Sequence, residues 1–121
     1  MELLALTSQR TIEGVPEEGV LEFKANIFKV LGDANRLKIL EVLRRQKICQ
    51  CELIPLIEQS QPTVSRHLRL LEEMGLISSY KEGTKVFYDI TDDHIFNLID
   101  SIDKKMIEVI TEKLREKYMP L

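Results

Sequence analysis

Two groups of side chains in this sequence are spaced to do chemistry. The first is a pair of thiols, Cys49 and Cys51, one residue apart. Thiolates grip soft metal ions and metalloids and are oxidised readily, and a helix N-terminus lowers their pKa. Side chains at i and i+2 of a regular helix point to nearly opposite sides, so both sulfurs reach one ion only where the first turn is distorted or not yet helical. Two small thiols that merely fill space are the plainer alternative. The second group lies in Ser60 to Leu76, reading Ser-Gln-Pro-Thr-Val-Ser-Arg-His-Leu-Arg-Leu-Leu-Glu-Glu-Met-Gly-Leu. On a helix, Val64, Leu68 and Leu71 fall on one buried face, which turns Gln61, Thr63, Ser65, Arg66 and Arg69 outward. With no carboxylate before Glu72, that face suits phosphate oxygens and base edges in a DNA major groove. An ordinary amphipathic surface helix is the competing reading.

The elements needed to hold these residues are legible around them. Ser60 or Gln61 caps the helix, Pro62 sits in its first turn, and Gly75 stops it. Two β-rich runs follow, from Leu76 to Lys81 and from Lys85 to Ile90, around Glu82-Gly83-Thr84. Ile77 and one of Val86 or Tyr88 should pack this hairpin on the helices, since an isolated hairpin is marginal. Upstream, Glu18 to Leu31 reads as an apolar helix with acids in its first turn. Asp33 caps a second helix through Arg45, and Cys49 to about Glu58 forms a third with Leu53, Ile54 and Ile57 inward. Helices three and four then make a helix-turn-helix. With the hairpin beside it this is a winged helix, in which Lys81 and Lys85 reach the DNA backbone. A last helix runs from Thr91 or Asp92 to about Tyr118. Its stripe of Ile95, Leu98, Ile99, Ile102, Met106, Val109, Ile110 and Leu114 is too long for one small domain to cover. A two-fold dimer buries it and sets two recognition helices about one DNA turn apart, which calls for an inverted-repeat operator. The expected fold is mainly α with a short β-hairpin, five or six helices and a two-stranded wing, dimeric through its terminal helices.

A chain of 121 residues, 44% hydrophobic, holds one core. Residues 1–17 read as an arm and 18–118 as a single DNA-binding and dimerisation domain. No apolar run approaches the roughly 20 residues that span a bilayer, the first residues lack the basic flank of a secretory signal, and the Cys spacing is not that of a secreted disulfide scaffold. A cytoplasmic protein without membrane contact is expected. The net charge of −3 and pI near 5.5 exclude indiscriminate coating of nucleic acid. The acids concentrate elsewhere, however: Glu2, Glu13, Glu17, Glu18 and Glu22 crowd the first segment, whereas Arg66 and Arg69 stand without an acid between Ser60 and Leu71.

The motifs Phe28-Lys-Val-Leu-Gly-Asp-Ala-Asn-Arg-Leu-Lys-Ile-Leu, Cys49-Gln-Cys-Glu-Leu and Gln61-Pro-Thr-Val-Ser-Arg-His-Leu-Arg-Leu-Leu, with the wing from Gly75 to Tyr88, resemble the ArsR/SmtB metalloregulatory repressors over about Phe28 to Leu114. The resemblance implies a homodimeric winged-helix repressor on a double-stranded operator, released when an effector binds. Members sense As(III), Sb(III), Cd(II) or Zn(II), while others answer to redox state or to no metal. Cys49 and Cys51 match the thiolates of the arsenic- and cadmium-type members. The third cysteine of several arsenite sensors is replaced here by Ile54, and the arm carries no thiol, which leaves two sulfur ligands per subunit. Ser60, Gln61, Thr63, Ser65, Arg66 and Arg69 correspond to the DNA-facing set. His67 is implied to touch the DNA backbone or to pack beneath it. Asp92 and His94 match the first half of the family's last-helix metal site and Glu108 its fourth ligand, but Lys105 stands at the third. On one continuous helix, His94 and Glu108 would lie roughly 21 Å apart at about 1.5 Å per residue, so a shared ion would have to bridge two subunits. A capped helix start with a solvated His94 is the other reading.

No enzyme is expected. A small dithiol oxidoreductase built on Cys49 and Cys51 would want a βαβ setting that the sequence lacks, and no hydrolytic constellation is present. A protein-interaction module that keeps the fold without the DNA contacts is a third class, distinguished by its failure to bind DNA at low salt.

Overall fold

The computed structural model describes residues 12–119. Six helices and one hairpin follow in order: α1 (Glu18–Leu31), α2 (Ala34–Arg45), α3 (Gln50–Ile57), α4 (Gln61–Glu73), β1 (Ile77–Glu82), β2 (Lys85–Ile90), α5 (His94–Asp100) and α6 (Lys104–Tyr118). Of the expected arm, 1–11 lie outside the described residues, and 12–17 precede α1 without helix.

Side-chain chemistry sets the helix boundaries. Asp33 Oδ1 accepts from the backbone N–H of Asn35 at 2.9 Å and of Arg36 at 3.1 Å, which starts α2. Ser60 Oγ accepts from Thr63 N–H at 3.3 Å and starts α4. At the other end of α4, Gly75 takes φ +77°, while its N–H bonds Glu72 O at 2.9 Å and Leu76 N–H bonds Leu71 O at 3.0 Å. That paired closure requires the left-handed conformation that glycine adopts at least cost. The chain then enters β1 directly. Between α3 and α4, Glu58 adopts φ +59° and makes the corner of the helix-turn-helix.

The core gathers Leu31, Ile39, Leu40, Ile48, Leu53, Ile57, Val64, Leu68, Leu71, Ile77 and Phe96. The buried face foreseen for α4 is thus the one observed. Ile48 and Phe96 were not foreseen, because neither lies on a helical stripe that the sequence displays. The hairpin is antiparallel, with Ile77 opposite Ile90 and Glu82 opposite Lys85, so Gly83 and Thr84 alone form the turn. Gly83 at φ +62° supplies the first position of a tight hairpin turn. Ile77 is buried, and Tyr88 and Ile90 pack on the helical core. The helix-turn-helix with this hairpin beside it is a winged helix-turn-helix. No helix among the described residues is long and apolar enough to cross a membrane.

One expectation is corrected. The last helix is not continuous: Ser101, Ile102 and Asp103 separate α5 from α6. Ser101 Oγ donates to Leu98 O at 2.6 Å, and Asp103 Oδ1 accepts from Met106 N–H at 2.8 Å. These short polar side chains compete with the helical ladder and cap a new helix instead. The 21 Å separation of His94 and Glu108 along one axis therefore does not apply. The stripe itself persists, and no residue of α6 is buried; Met106, Val109, Ile110 and Leu114 are exposed, as are Phe23 and Phe28 on α1.

Phe96 joins α5 to the core at 3% exposure, with the Arg44 guanidinium over its ring at 4.5 Å. Phe96→Ala is expected to cost about 3–5 kcal/mol, read as a lower urea midpoint at unchanged m-value.

Candidate nucleic-acid interface and thiol centre

The outward face of α4 carries Gln61, Arg66 and Arg69 exposed, with Thr63 and Ser65 half-buried beside them. Its first turn holds no acid, so the positive end of the helix dipole is unopposed. Arg69 lies 4.0 Å from Glu73 one turn on, whereas no ion pair among the described residues engages Arg66. The Ser60 hydroxyl donates to Thr63 Oγ1 at 2.8 Å as it caps the helix, so its first role is structural.

His67 is corrected. It stands 3% exposed on the inner side of α4 and offers no surface to a duplex. Arg36 Nη1 lies 3.0 Å from His67 Nδ1. A guanidinium only donates, so Nδ1 accepts and the imidazole proton sits on Nε2, which faces Asp33 Oδ1 at 3.9 Å. Arg36 also donates through Nε to Val30 O. The capping residue of α2, an arginine of α2 and the histidine of α4 thus form one polar brace beneath α4. For Asp33, burial works against ionisation, but the N–H groups of Arg36 and Asn35 and the charge of Arg36, with His67 adding to them, outweigh it and hold the carboxyl below its usual range.

On the wing, Lys81 pairs with Val86 and Lys85 with Glu82. Directly opposed residues share a face, so the two lysines stand exposed on opposite faces of the ribbon. The Lys81 face is that of Ile77, Tyr88 and Ile90, which meets the helices; Ser79 on the same face donates to Glu72 of α4 at 2.8 Å. The Lys85 face carries the stacked Tyr80 and Phe87, whose rings lie 5.7 Å apart. Lys47 sits over Phe87 at 4.9 Å and pairs with Glu82.

The two cysteines are joined as a disulfide. Cys49 is the N-cap of α3 with extended backbone, φ −79° and ψ 160°, which lets sulfurs two residues apart meet. Cys49 is fully buried and its backbone bridges to Phe87 of β2, while Cys51 is exposed. Glu52 adds a third donor that the sequence reading missed: its Oε1 lies 3.1 Å from Cys49 Sγ, and ligand atoms of Cys49, Cys51 and Glu52 all fall within 4.8 Å of one another. An acid in the first helical turn next to a CxC pair was the signal available. Once reduced, the set offers two soft thiolates and one hard carboxylate, suited to a thiophilic ion that accepts mixed ligands.

The second expected metal site is less complete. Asp92 Oδ1 lies 2.7 Å from His94 Nδ1 and accepts from His94 N–H at 2.9 Å; that backbone bond, then the side-chain one, holds the Asp92 carboxyl below its usual range. Glu108 lies on α6, and no third His, Cys, Asp or Glu among the described residues converges on the pair.

Burial holds the His67 imidazole below its ordinary 6.5; Asp33 opposes this, and Arg36 and Arg66 add to it. The unfolded chain therefore takes up the proton near pH 6.5 while the folded one resists. Stability should fall as pH drops from about 6.5 toward the lower folded value, and His67→Gln should flatten that slope in urea titrations run across the window. After reduction, iodoacetamide should label Cys51 well before Cys49, as read by peptide mass.

A family model described as bacterial regulatory protein, arsR family, matches residues 33–79, from the cap of α2 into β1. An uncharacterised HTH-type transcriptional regulator of Methanocaldococcus jannaschii is 40% identical over 84 residues, which span 69% of this chain and 94% of that protein. The cadmium resistance transcriptional regulatory protein CadC homolog of Staphylococcus aureus is 40% identical over 77 residues, or 63% of this chain and 64% of its own length. The chain thus spans just under two thirds of that relative. Among solved structures, the crystal structure of Mycobacterium tuberculosis Rv0081 has the same fold, with a TM-score of 0.69 at 24% identity over 81% of this chain and 99% of that one. The arsR family model, together with the Methanocaldococcus jannaschii regulator matched almost end to end at 40% identity, places the chain in the arsR family of bacterial regulatory proteins.

Proposed function

We propose that the protein is a homodimeric, cytoplasmic DNA-binding transcriptional repressor that leaves its operator when a thiol-reactive effector engages Cys49 and Cys51. The observation that carries the DNA reading is α4: capped by Ser60, seated through Val64, Leu68 and Leu71, and presenting Gln61, Thr63, Ser65, Arg66 and Arg69 without an acid in its first turn. Arg66 and Arg69 meet phosphates or base edges, Gln61, Thr63 and Ser65 add shorter polar contacts, and Lys81 and Lys85 clamp the backbone from the two faces of the wing. Ser60 keeps the first turn in register for them. The exposed apolar faces of α1 and α6 supply the dimer contact, and two-fold symmetry then matches an inverted repeat.

The effector class follows from the donors. Two thiolates and Glu52 fit Cd(II) and the thiophilic As(III) and Sb(III) better than a hard cation, and the CadC homolog is a cadmium resistance regulator. Zn(II) at Asp92, His94 and Glu108 is the weaker site, since Lys105 brings an ammonium to α6 one turn before Glu108. The disulfide favours a second reading, a redox switch: a peroxide takes two electrons and two protons from the thiols and leaves as water, while the sulfurs join.

Arg66→Ala should weaken binding to a fluorescent duplex of the DNA upstream of the protein's own reading frame by about 10- to 100-fold at fixed salt, with the dimer intact by sedimentation. Cys49→Ser should bind as the parent does, because serine also caps a helix, yet ignore arsenite, antimonite, cadmium and peroxide. Unchanged binding by Arg66→Ala refutes the α4 assignment. Continued release of Cys49→Ser by the same reagents refutes the thiol site.

A further inference from the structure

Between the two sulfurs stands a residue that neither the DNA face nor the thiol site has used. Gln50 is half-buried, and its side-chain amide nitrogen donates to Ser65 Oγ at 3.2 Å while its amide oxygen accepts from Tyr88 Oη at 3.4 Å. Ser65 lies on the DNA-facing helix α4, and Tyr88 lies on β2 of the wing. One side chain therefore spans both elements that would meet a duplex, and its backbone is flanked on each side by a cysteine.

We propose that Gln50 is the positioning residue through which the state of the Cys49 and Cys51 pair reaches α4 and the wing; this rests on the reading of those cysteines as the effector site. The two ends of the segment are not equivalent. Cys49 is fully buried, and its backbone is bridged to Phe87, the neighbour of Tyr88, so it is the fixed end. Cys51 is exposed and lines an open cleft of about 670 Å³ with Gln50, Gln61 and Lys85, so a reagent reaches it without crossing the core. The sulfurs meet because Cys49 is the extended N-cap rather than a helical residue, whereas side chains two positions apart on a regular helix diverge by about 200°. Separating the sulfurs, or spacing them around an ion, therefore changes the constraint on the backbone of the residue between them and lets it turn.

Gln50 turns with it, and its two hydrogen bonds turn or break. Both are long for their type, so they exchange for water at small cost when the backbone moves. A rigid packing contact would resist such a motion. A pair of hydrogen bonds near the edge of their range gives the linkage two discrete states, made and unmade, which is what coupling between an effector and a DNA face requires.

The test uses the full chain reduced with a phosphine, Cd(II) as the probe, and the same upstream duplex. Cd(II) takes the place of the two thiol protons, and thiolate-to-metal charge-transfer absorption reports its binding independently of DNA. In the parent, Cd(II) should weaken the duplex by roughly 5- to 150-fold. In Gln50→Leu, the absorption should titrate as in the parent while the weakening, measured against that variant's own ion-free affinity, shrinks to within about twofold. Ser65→Ala should lose the coupling in the same way, and the double variant should lose no more than either alone. That result is specific to coupling, since a merely structural role would move the ion-free affinity and not the ratio. If Gln50→Leu keeps the parent's ratio, the inference is overturned and the effector site stands; Ser65→Ala decides the same point should Gln50→Leu fail to fold. If Cd(II) binds the parent's thiolates and leaves its duplex affinity unchanged, the effector reading fails and takes this inference with it.

Discussion

What α4 shows to solvent is decided by what it hides. Val64 and Leu71 are wholly buried and Leu68 is 2% exposed, so rotation of the helix about its axis would pull three apolar side chains out of the core. Each such side chain gains about 1.5–3 kcal/mol from burial, which makes any other orientation costly. The remaining freedoms, tilt and slide, are removed from both ends. Ser60 and the left-handed Glu58 fix the entry, while Gly75 and the direct run into β1 fix the exit. Beneath the middle of the helix, His67, Arg36 and Asp33 add a polar contact that apolar packing alone could not make directional.

The same contacts explain which parts of the molecule the sequence disclosed. The limits of α4 were legible because Ser60, Pro62 and Gly75 act locally, through caps and backbone conformation that need no tertiary context. The wing was legible because β-rich runs around Gly83 admit few alternatives. The break at Ser101 to Asp103 was not, since the apolar stripe continues across it and only the turn of two short polar side chains reveals the competition. The sequence leaves His67 on either side of the helix surface because it neighbours the exposed Arg66, yet 100° further round the helix is enough to bury it. Phe96 and Glu52 escaped for opposite reasons. Phe96 stands off the stripe of its own helix and is buried by α2, whereas Glu52 is an ordinary first-turn acid until the fold brings its carboxylate to Cys49 Sγ.

The first and last helices present a different balance. Phe23, Phe28, Met106, Val109, Ile110 and Leu114 are all 44% exposed or more, on elements whose polar sides already face water. An apolar surface of that extent on one chain is unfavourable, and the described residues hold no further element with which to cover it. The hinge at Ser101 to Asp103 bears on this directly. By ending α5 after Phe96 has been anchored, it frees α6 to leave the core at its own angle, so the core and the exposed face answer to separate constraints. Arg44 reinforces the anchored half, holding Asp100 at 2.7 Å while it covers Phe96.

A net charge of −3 on a protein that binds DNA is resolved by where each acid spends its charge. Around α4 and the wing, Glu72 accepts from Ser79, Glu73 faces Arg69, Glu82 pairs with Lys47, and Asp33 is committed to capping α2. Each is drawn along the protein surface or into the fold, and away from the first two turns of α4. Arg66 has no such partner among the described residues, and the N–H groups at the start of α4 add their partial positive charge beside it. The field felt by a phosphate at that face is therefore set by a few nearby groups. Selectivity gains from the same arrangement: a chain whose total charge repels a polyanion binds only where its local contacts are satisfied.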